Sequence, residues 1–207
     1  MQQQARHEMS AVKSFYEQQY GSVIQRLRFD LNVKYLYHDS RHTEDVIRQC
    51  QEIAYREGVT SEEIDLLKLA ALYHDLGFLV QRANHEAAGV EIFLGEAAGS
   101  EISSEDKEHI ARLIMVTKIP QQPKSLLEAI ICDADLDYLG REDFPAIAEF
   151  LYLELKSCGE MSDRTRWDEL QISFLQAHQY QTASSRKLRS NGLENNLLFV
   201  RRRLAGQ

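Results

Sequence analysis

Tyr73-His74-Asp75-Leu76-Gly77 closes an apolar run, Leu66-Leu67-Lys68-Leu69-Ala70-Ala71-Leu72, that reads as a buried helix. Burial penalises an imidazole and a carboxylate that lack partners, and a divalent cation satisfies both at once. The chain supplies further ligands of the same kind at a distance: His42 upstream, and an acidic knot, Asp133-Ala134-Asp135-Leu136-Asp137, downstream. His42, His74, Asp75 and one aspartate of the knot make two imidazoles and two carboxylates. Donors of this intermediate softness suit Mn, Fe, Co, Ni or Zn better than a thiolate-selecting site would. Four protein ligands on an octahedral ion leave positions open. Water there, its pKa lowered, attacks an ester at neutral pH, and a phosphate there is polarised.

Each of these residues also has a plainer reading. A lone His-Asp pair is weak evidence, and Tyr-His-Asp occurs twice, at Tyr37-His38-Asp39 and at Tyr73-His74-Asp75. Context separates the two, because the first lies among Lys34, Ser40 and Arg41 and the second ends an apolar helix. His38 and His42 are four apart and share a face if both are helical. His42 is read as a ligand and His38 as the proton donor to a leaving oxygen, since imidazole titrates near neutrality; the plain alternative is a polar helix start. Within the knot, positions 133 and 137 share a helical face and 135 points elsewhere, so one or two of the three reach a single cation. Carboxylates at a helix C-terminus run against its dipole, which makes the cluster look purposeful.

His85 and Glu86, where Asn84 is a natural N-cap, and His109 are candidates for a second metal or for contact with substrate phosphate. A polar helix start and an exposed imidazole explain them equally well. Lys118 is placed to attract an anionic substrate or to complement the end of its helix. His7 and His178 are assigned no role, and Arg201-Arg202-Arg203 is read as a solvated end.

The elements that must position these groups are helices. Apolar spacing predicts a first helix over roughly 7–30 and a second from near His42 to Gly58. Thr60-Ser61-Glu62-Glu63 is a capping box that starts the helix leading to His74. Further helices are predicted through Glu86–Leu94, from Ser103 until Pro120 and Pro123 stop it, and from Ser125 through the knot to Gly140. Two more follow near 142–157 and 163–181, then a last one with a basic face near 184–207. No repeat, linker or alternating strand pattern interrupts them, so a single helical domain spanning 1–207 is expected.

Composition agrees. Only 3 prolines and 10 glycines punctuate 207 residues that are 43% hydrophobic, a mix that favours helices around a sizeable core. A net charge of -8 argues against a dedicated nucleic-acid binder. No apolar run reaches membrane-spanning length, and Met1–Arg6 begins no signal peptide. Cys50, Cys132 and Cys158 form no CxxC, and scattered, unpaired thiols suit a reducing cytoplasm. The expected protein is cytoplasmic, apart from membranes, with homo-oligomerisation left open.

With those residues in view, the chain resembles the HD-domain superfamily of metal-dependent phosphohydrolases, whose pattern is His … His-Asp … Asp on an all-α scaffold. Tyr37-His38-Asp39-Ser40-Arg41-His42 is similar to the Tyr-His-Asn-x-x-His signature shared with cyclic-nucleotide phosphodiesterases, with Asp39 where Asn is usual. Leu69–Phe78 matches the central helix of the family. A group of predicted bacterial HD phosphohydrolases carries Asn-Glu-Glu-x-Ser-Ala and Asp-Ala-Asp-Leu-x-x-Leu-Gly stretches. Asn84–Gly89 is similar to the first, departing at His85, Ala88 and Gly89, and Asp133–Gly140 fits the second. The likeness covers roughly 35–182, including Trp167, Gln171 and His178 of a C-terminal helix.

The resemblance implies a compact multi-helix HD-domain bundle. It puts the metal on His42, His74, Asp75 and Asp135, with Asp133 as the fallback for the last, and makes His38 and Asp75 catalytic. It implies a divalent cofactor (Mn, Fe, Co, Ni, Zn or Mg) and a small phosphorylated substrate such as a nucleotide, hydrolysed by metal-activated water. Two alternatives stay open: a di-iron oxygenase on the same scaffold, which needs both His85 and His109 at the metals, and a non-catalytic helical module that binds a nucleotide or a partner.

Overall fold

A computed structural model describes residues 10–206. Among them the protein is all-α, with nine helices and no strand. These are α1 (Ala11–Phe29), α2 (Ser40–Glu57), α3 (Ser61–Tyr73), α4 (His85–Glu96), α5 (Ser104–Met115), α6 (Leu126–Asp135), α7 (Phe144–Ser157), α8 (Arg164–Ala177) and α9 (Ala183–Leu204). Short 3-10 turns at Leu76–Leu79 and Asp137–Gly140 follow α3 and α6.

Side-chain oxygens start most of the helices. Thr60 and Glu63 form the reciprocal capping box at α3. Ser103 and Ser125 accept from the amides of Asp106 and Glu128 at α5 and α6. Gly58, left-handed at φ 72°, closes α2 as predicted. Residues 7–9 of the predicted first helix, His7 among them, lie outside the described residues.

Several helix ends differ from expectation. Helix α5 stops at Met115, well before Pro120, because the Thr117 hydroxyl takes the Ile114 carbonyl at 2.8 Å and satisfies one of the terminal acceptors. Helix α6 stops at Asp135, and the chain tightens into its 3-10 turn before reaching Gly140. His38 lies outside α2 rather than on it, since Asp39 holds the N-cap position.

The buried side chains form two clusters. One joins the helices from α1 to α6 through residues such as Leu67, Leu72, Phe93, Ile110 and Ile130. The other joins α7, α8 and α9 to Tyr37 and to the chain from Leu136 onward, through Leu139, Phe144, Trp167 and Val200. Ala134 belongs to the first and Leu136 to the second, so Asp135 stands at the seam.

The basic end is not merely solvated. Arg203 grips the carboxylate of Asp168 and donates to Gln171 Oε1 at 2.8 Å, while Arg189 Nε donates to Asp137 Oδ1 at 2.7 Å. Cys50 and Cys132 are buried free thiols, and Cys158 is a half-buried one. Among the described residues, no helix is long and apolar enough to cross a membrane.

Candidate metal centre

The structure brings donor atoms of His42, His74 and Asp135 within 4.8 Å of one another and sets Asp75 against the two imidazoles. Helix α2 carries His42 on its first turn. His74 and Asp75 sit where α3 ends, and Asp135 is the last residue of α6. The two Nε2 atoms of His42 and His74 lie 3.3 Å apart. Asp135 Oδ1 lies 3.2 Å from His42 Nε2 and 3.7 Å from that of His74. Asp75 Oδ2 lies 3.4 and 3.2 Å from the same two nitrogens.

Octahedral donors about 2.1 Å from an ion stand about 3.0 Å apart when adjacent and about 4.2 Å when opposite, so the spacings among His42, His74 and Asp135 fit one divalent cation, with Asp75 set against the two imidazoles. Oδ2 of Asp75 is buried and makes no hydrogen bond despite its two neighbouring nitrogens. A buried carboxylate oxygen left this way needs a cation. The donor set, two imidazoles and two carboxylates, matches the softness of a first-row divalent metal.

Neighbours orient each donor. His74 Nδ1 donates to the Ala71 carbonyl at 2.7 Å, which in the neutral ring leaves the Nε2 lone pair facing the other three donors. Gln121 Nε2 donates to Asp135 Oδ2 at 2.9 Å and leaves Oδ1 for the cluster. The electrostatics are those of a place made for positive charge. Burial alone pushes the His74 imidazole down, but Asp75 beside it, with Asp135, lifts it to about 9. Burial likewise pushes Asp75 up, yet the His74 and His85 imidazoles hold it well below the usual carboxylate range.

The other aspartates of the knot serve α9, and Asp133 takes no part in the cluster. Asp133 accepts from the amides of Gln181 and Thr182 at 2.7 and 2.8 Å and from the Thr182 hydroxyl at 2.7 Å. Asp137 holds Arg189. Asp137 lies past the end of α6, in the 3-10 turn, so the α-helical period that was to join 133 to 137 does not reach it, though both contact the α9 region.

His38 stands one layer out, its ring 6.1 Å from that of His42. Its Nδ1 donates to Glu154 Oε1 at 2.6 Å, while the amides of Tyr37 and His38 donate to Glu154 Oε2 at 2.9 and 3.1 Å. Arg82 completes the set, donating to Oε1 at 2.9 Å. Burial pushes the Glu154 carboxyl up, and the bonds from His38 more than reverse that, to about 2. Glu154 and Gln121 were not singled out in the sequence. The signal for Glu154 was a carboxylate inside the apolar run Phe150-Leu151-Tyr152-Leu153-Glu154-Leu155, and Gln121, in a polar loop, carried none.

The secondary candidates divide. His85 does approach, with Nε2 3.3 Å from Asp75 Oδ1 and 3.5 Å from Glu86 Oε1. Burial lowers its pKa, but Asp75 raises it further, for a net rise. Two glycines permit this approach: a Cβ on Gly77 would stand 1.9 Å from the His85 carbonyl oxygen, and one on Gly89 2.6 Å from that of Tyr73. His109, on α5, joins none of the contacts of the cluster among the described residues. Lys118 is turned to structure, its Nζ donating to Asn84 Oδ1 at 2.7 Å. Asn84 therefore does not cap α4 with its side chain and sits in the left-handed region at φ 55°.

Residues 40–137 match the family model of the HD domain. Among solved structures, a predicted HD superfamily hydrolase from an uncultured Thermotogales bacterium is similar over 96% of this chain and 99% of its own, at 22% identity and a TM-score of 0.60. A protein of Lactobacillus plantarum is similar over 92% of this chain and 97% of its own, at 18% identity and a TM-score of 0.67. At such identities the likeness is one of fold. No curated protein matches the sequence.

Proposed function

The chain belongs to the HD-domain superfamily, and from that premise we propose that it is a metal-dependent phosphohydrolase acting on the phosphate ester of a nucleotide or related small metabolite. The observation that carries the proposal is the convergence of His42, His74 and Asp135, with Asp75 against the two imidazoles, beside a histidine held by a buried carboxylate. The similar Thermotogales protein, itself a predicted hydrolase, supports the same reaction class.

His42 and His74 would hold the cation through Nε2, and Asp75 and Asp135 through one carboxylate oxygen each. When bound, a divalent cation supplies Lewis acidity that lowers the pKa of water and polarises a phosphoryl oxygen. The side chains of the protein do the rest. Asp75 orients the attacking water. His38 gives its proton to the leaving oxygen as the ester P–O bond breaks, and recovers one from the water whose oxygen joins phosphorus. Glu154 fixes the His38 ring through Nδ1, leaves Nε2 free for the transfer, and stabilises the imidazolium, the role a buried carboxylate plays beside a catalytic histidine. Arg82 keeps Glu154 ionised.

Screening the purified protein against phosphorylated metabolites, with Mn, Co, Mg or Ni added back, tests the proposal. Release of phosphate that depends on the metal and is lost in His74→Ala is expected. Two irons per chain with oxygen uptake and no phosphate release would replace the proposal with an oxygenase.

A further inference from the structure

A second cavity opens from the site. It has a volume of about 280 Å³ and is walled by Phe144, Leu151, Leu155, Trp167 and Phe174 from α7 and α8. His38 and Asp135 line it too, so its polar end is the proposed proton donor and one of the metal ligands. Beyond those two, none of the residues around it carries a formal charge. Ligand sites have this character, apolar walls with a few polar groups at one end, and their volumes start at about 300 Å³.

Trp167 gives a second, independent sign of an occupant. It is 4% exposed, and its indole Nε1–H is buried with no acceptor. A buried donor left without a partner destabilises the fold, a cost that a ligand carrying an acceptor would remove.

We infer that this cavity receives the alcohol portion of the substrate, and that the alcohol ends in a compact aromatic or branched aliphatic group with one hydrogen-bond acceptor. The inference rests on the phosphohydrolase reading and turns its substrate from a nucleotide, whose leaving group carries ribose, to a small metabolite with an apolar alcohol. The phosphate lies at the metal centre, the ester oxygen beside His38, and the apolar group among α7 and α8. A polyhydroxylated leaving group, such as a sugar or glycerol, finds there only the Gln171 amide and the Tyr37 and Tyr138 side chains, besides His38 and Asp135, to replace its lost water.

The chain has one tryptophan, so the fluorescence of Trp167 reports directly on the cavity. The test has two arms. In the first, the phenylpropyl ester 3-(4-methoxyphenyl)propyl phosphate, whose ether oxygen is the acceptor, and glycerol phosphate, both alkyl esters, are compared as substrates of the Mn-loaded protein. In the second, the corresponding alcohol, 3-(4-methoxyphenyl)propanol, is titrated without metal while Trp167 emission is followed.

The phenylpropyl ester is expected to be preferred about tenfold or more in kcat/KM, the gain from burying one ring. The alcohol is expected to change Trp167 emission saturably. Leu155→Phe, which fills the cavity, is expected to bring the preference towards unity and abolish the emission change. Leu170→Phe, at a wall position that is 48% exposed, serves the same purpose if the first variant fails to fold.

Equal rates on both esters with no saturable emission change would overturn the inference and leave the hydrolase intact. No turnover of either ester, with saturable emission that Leu155→Phe or Leu170→Phe removes, would uphold the cavity and overturn the hydrolase.

Discussion

Tyr37-His38-Asp39 and Tyr73-His74-Asp75 are the same tripeptide at opposite ends of helices, and the ends decide their chemistry. Asp39 precedes α2, where free backbone amides need an acceptor. Its carboxylate takes the amides of Arg41 and His42 at 2.8 and 3.4 Å and pairs with the Arg41 side chain. Asp75 follows α3, where the backbone offers acceptors rather than donors and the dipole opposes a carboxylate. No backbone amide satisfies it, and it turns inward to three imidazoles, those of His42, His74 and His85. The histidines follow their neighbours. His74 is fixed by a carbonyl of its own helix, 2.7 Å away, and His38 by a carboxylate 116 residues further along the chain. A His-Asp pair thus meets the donors of other helices when it closes a buried helix and serves as a capping element when it opens one.

The comparison breaks first at the aspartates. Asp75→Asn is expected to abolish stoichiometric Mn²⁺ binding and to reduce phosphate release by more than the 10–100-fold that losing a supporting contact costs. Asp39→Asn is expected to leave both nearly unchanged, because Asn caps as well as Asp. Metal titration by calorimetry checks the pair, and equal losses in the two variants would erase the distinction.

The histidines come next. His38→Gln is expected to lower kcat about 10²–10⁴-fold while the bound metal stays at the wild-type level, as removing a proton donor does. Metal loss in that variant would make His38 a ligand.

Smaller effects bear on stability. Glu154, held at about 2 in the folded protein against an ordinary 4.5, contributes stability that is fully present above pH 4.5 and is lost as pH falls towards 2. Between pH 5 and pH 3 the loss should be about 2 kcal/mol, and Glu154→Gln should flatten it in urea titrations. Asp39→Ala, which removes only a cap, is expected to cost about 1 kcal/mol, a fall of a few degrees in Tm by calorimetry.

Much of this arrangement was legible in the sequence because it is written locally. The capping box at Thr60, the caps at Ser103 and Ser125 and the left-handed Gly58 each depend on residues a few positions apart. The apolar run into His74 announced a buried end, and the helical period separated Asp135 from Asp133. What was not legible crosses the fold. Glu154 reaches His38 from α7, and nothing near either residue records it. Lys118 and His109 carried the right chemistry, but Lys118, past the end of α5, donates to Asn84, and His109 joins none of the contacts of the cluster among the described residues. Asn84 failed as a cap because a left-handed residue cannot aim its side chain back along the helix it precedes, and Lys118 occupies it instead.

The central claim is that four side chains from three helix ends share one cation. Crystals soaked in Mn²⁺ and measured at an energy where manganese scatters anomalously address it most directly. The predicted result is a single strong peak bonded to His42 Nε2, His74 Nε2, Asp75 Oδ2 and Asp135 Oδ1. A peak elsewhere, or none at saturating Mn²⁺, would contradict it.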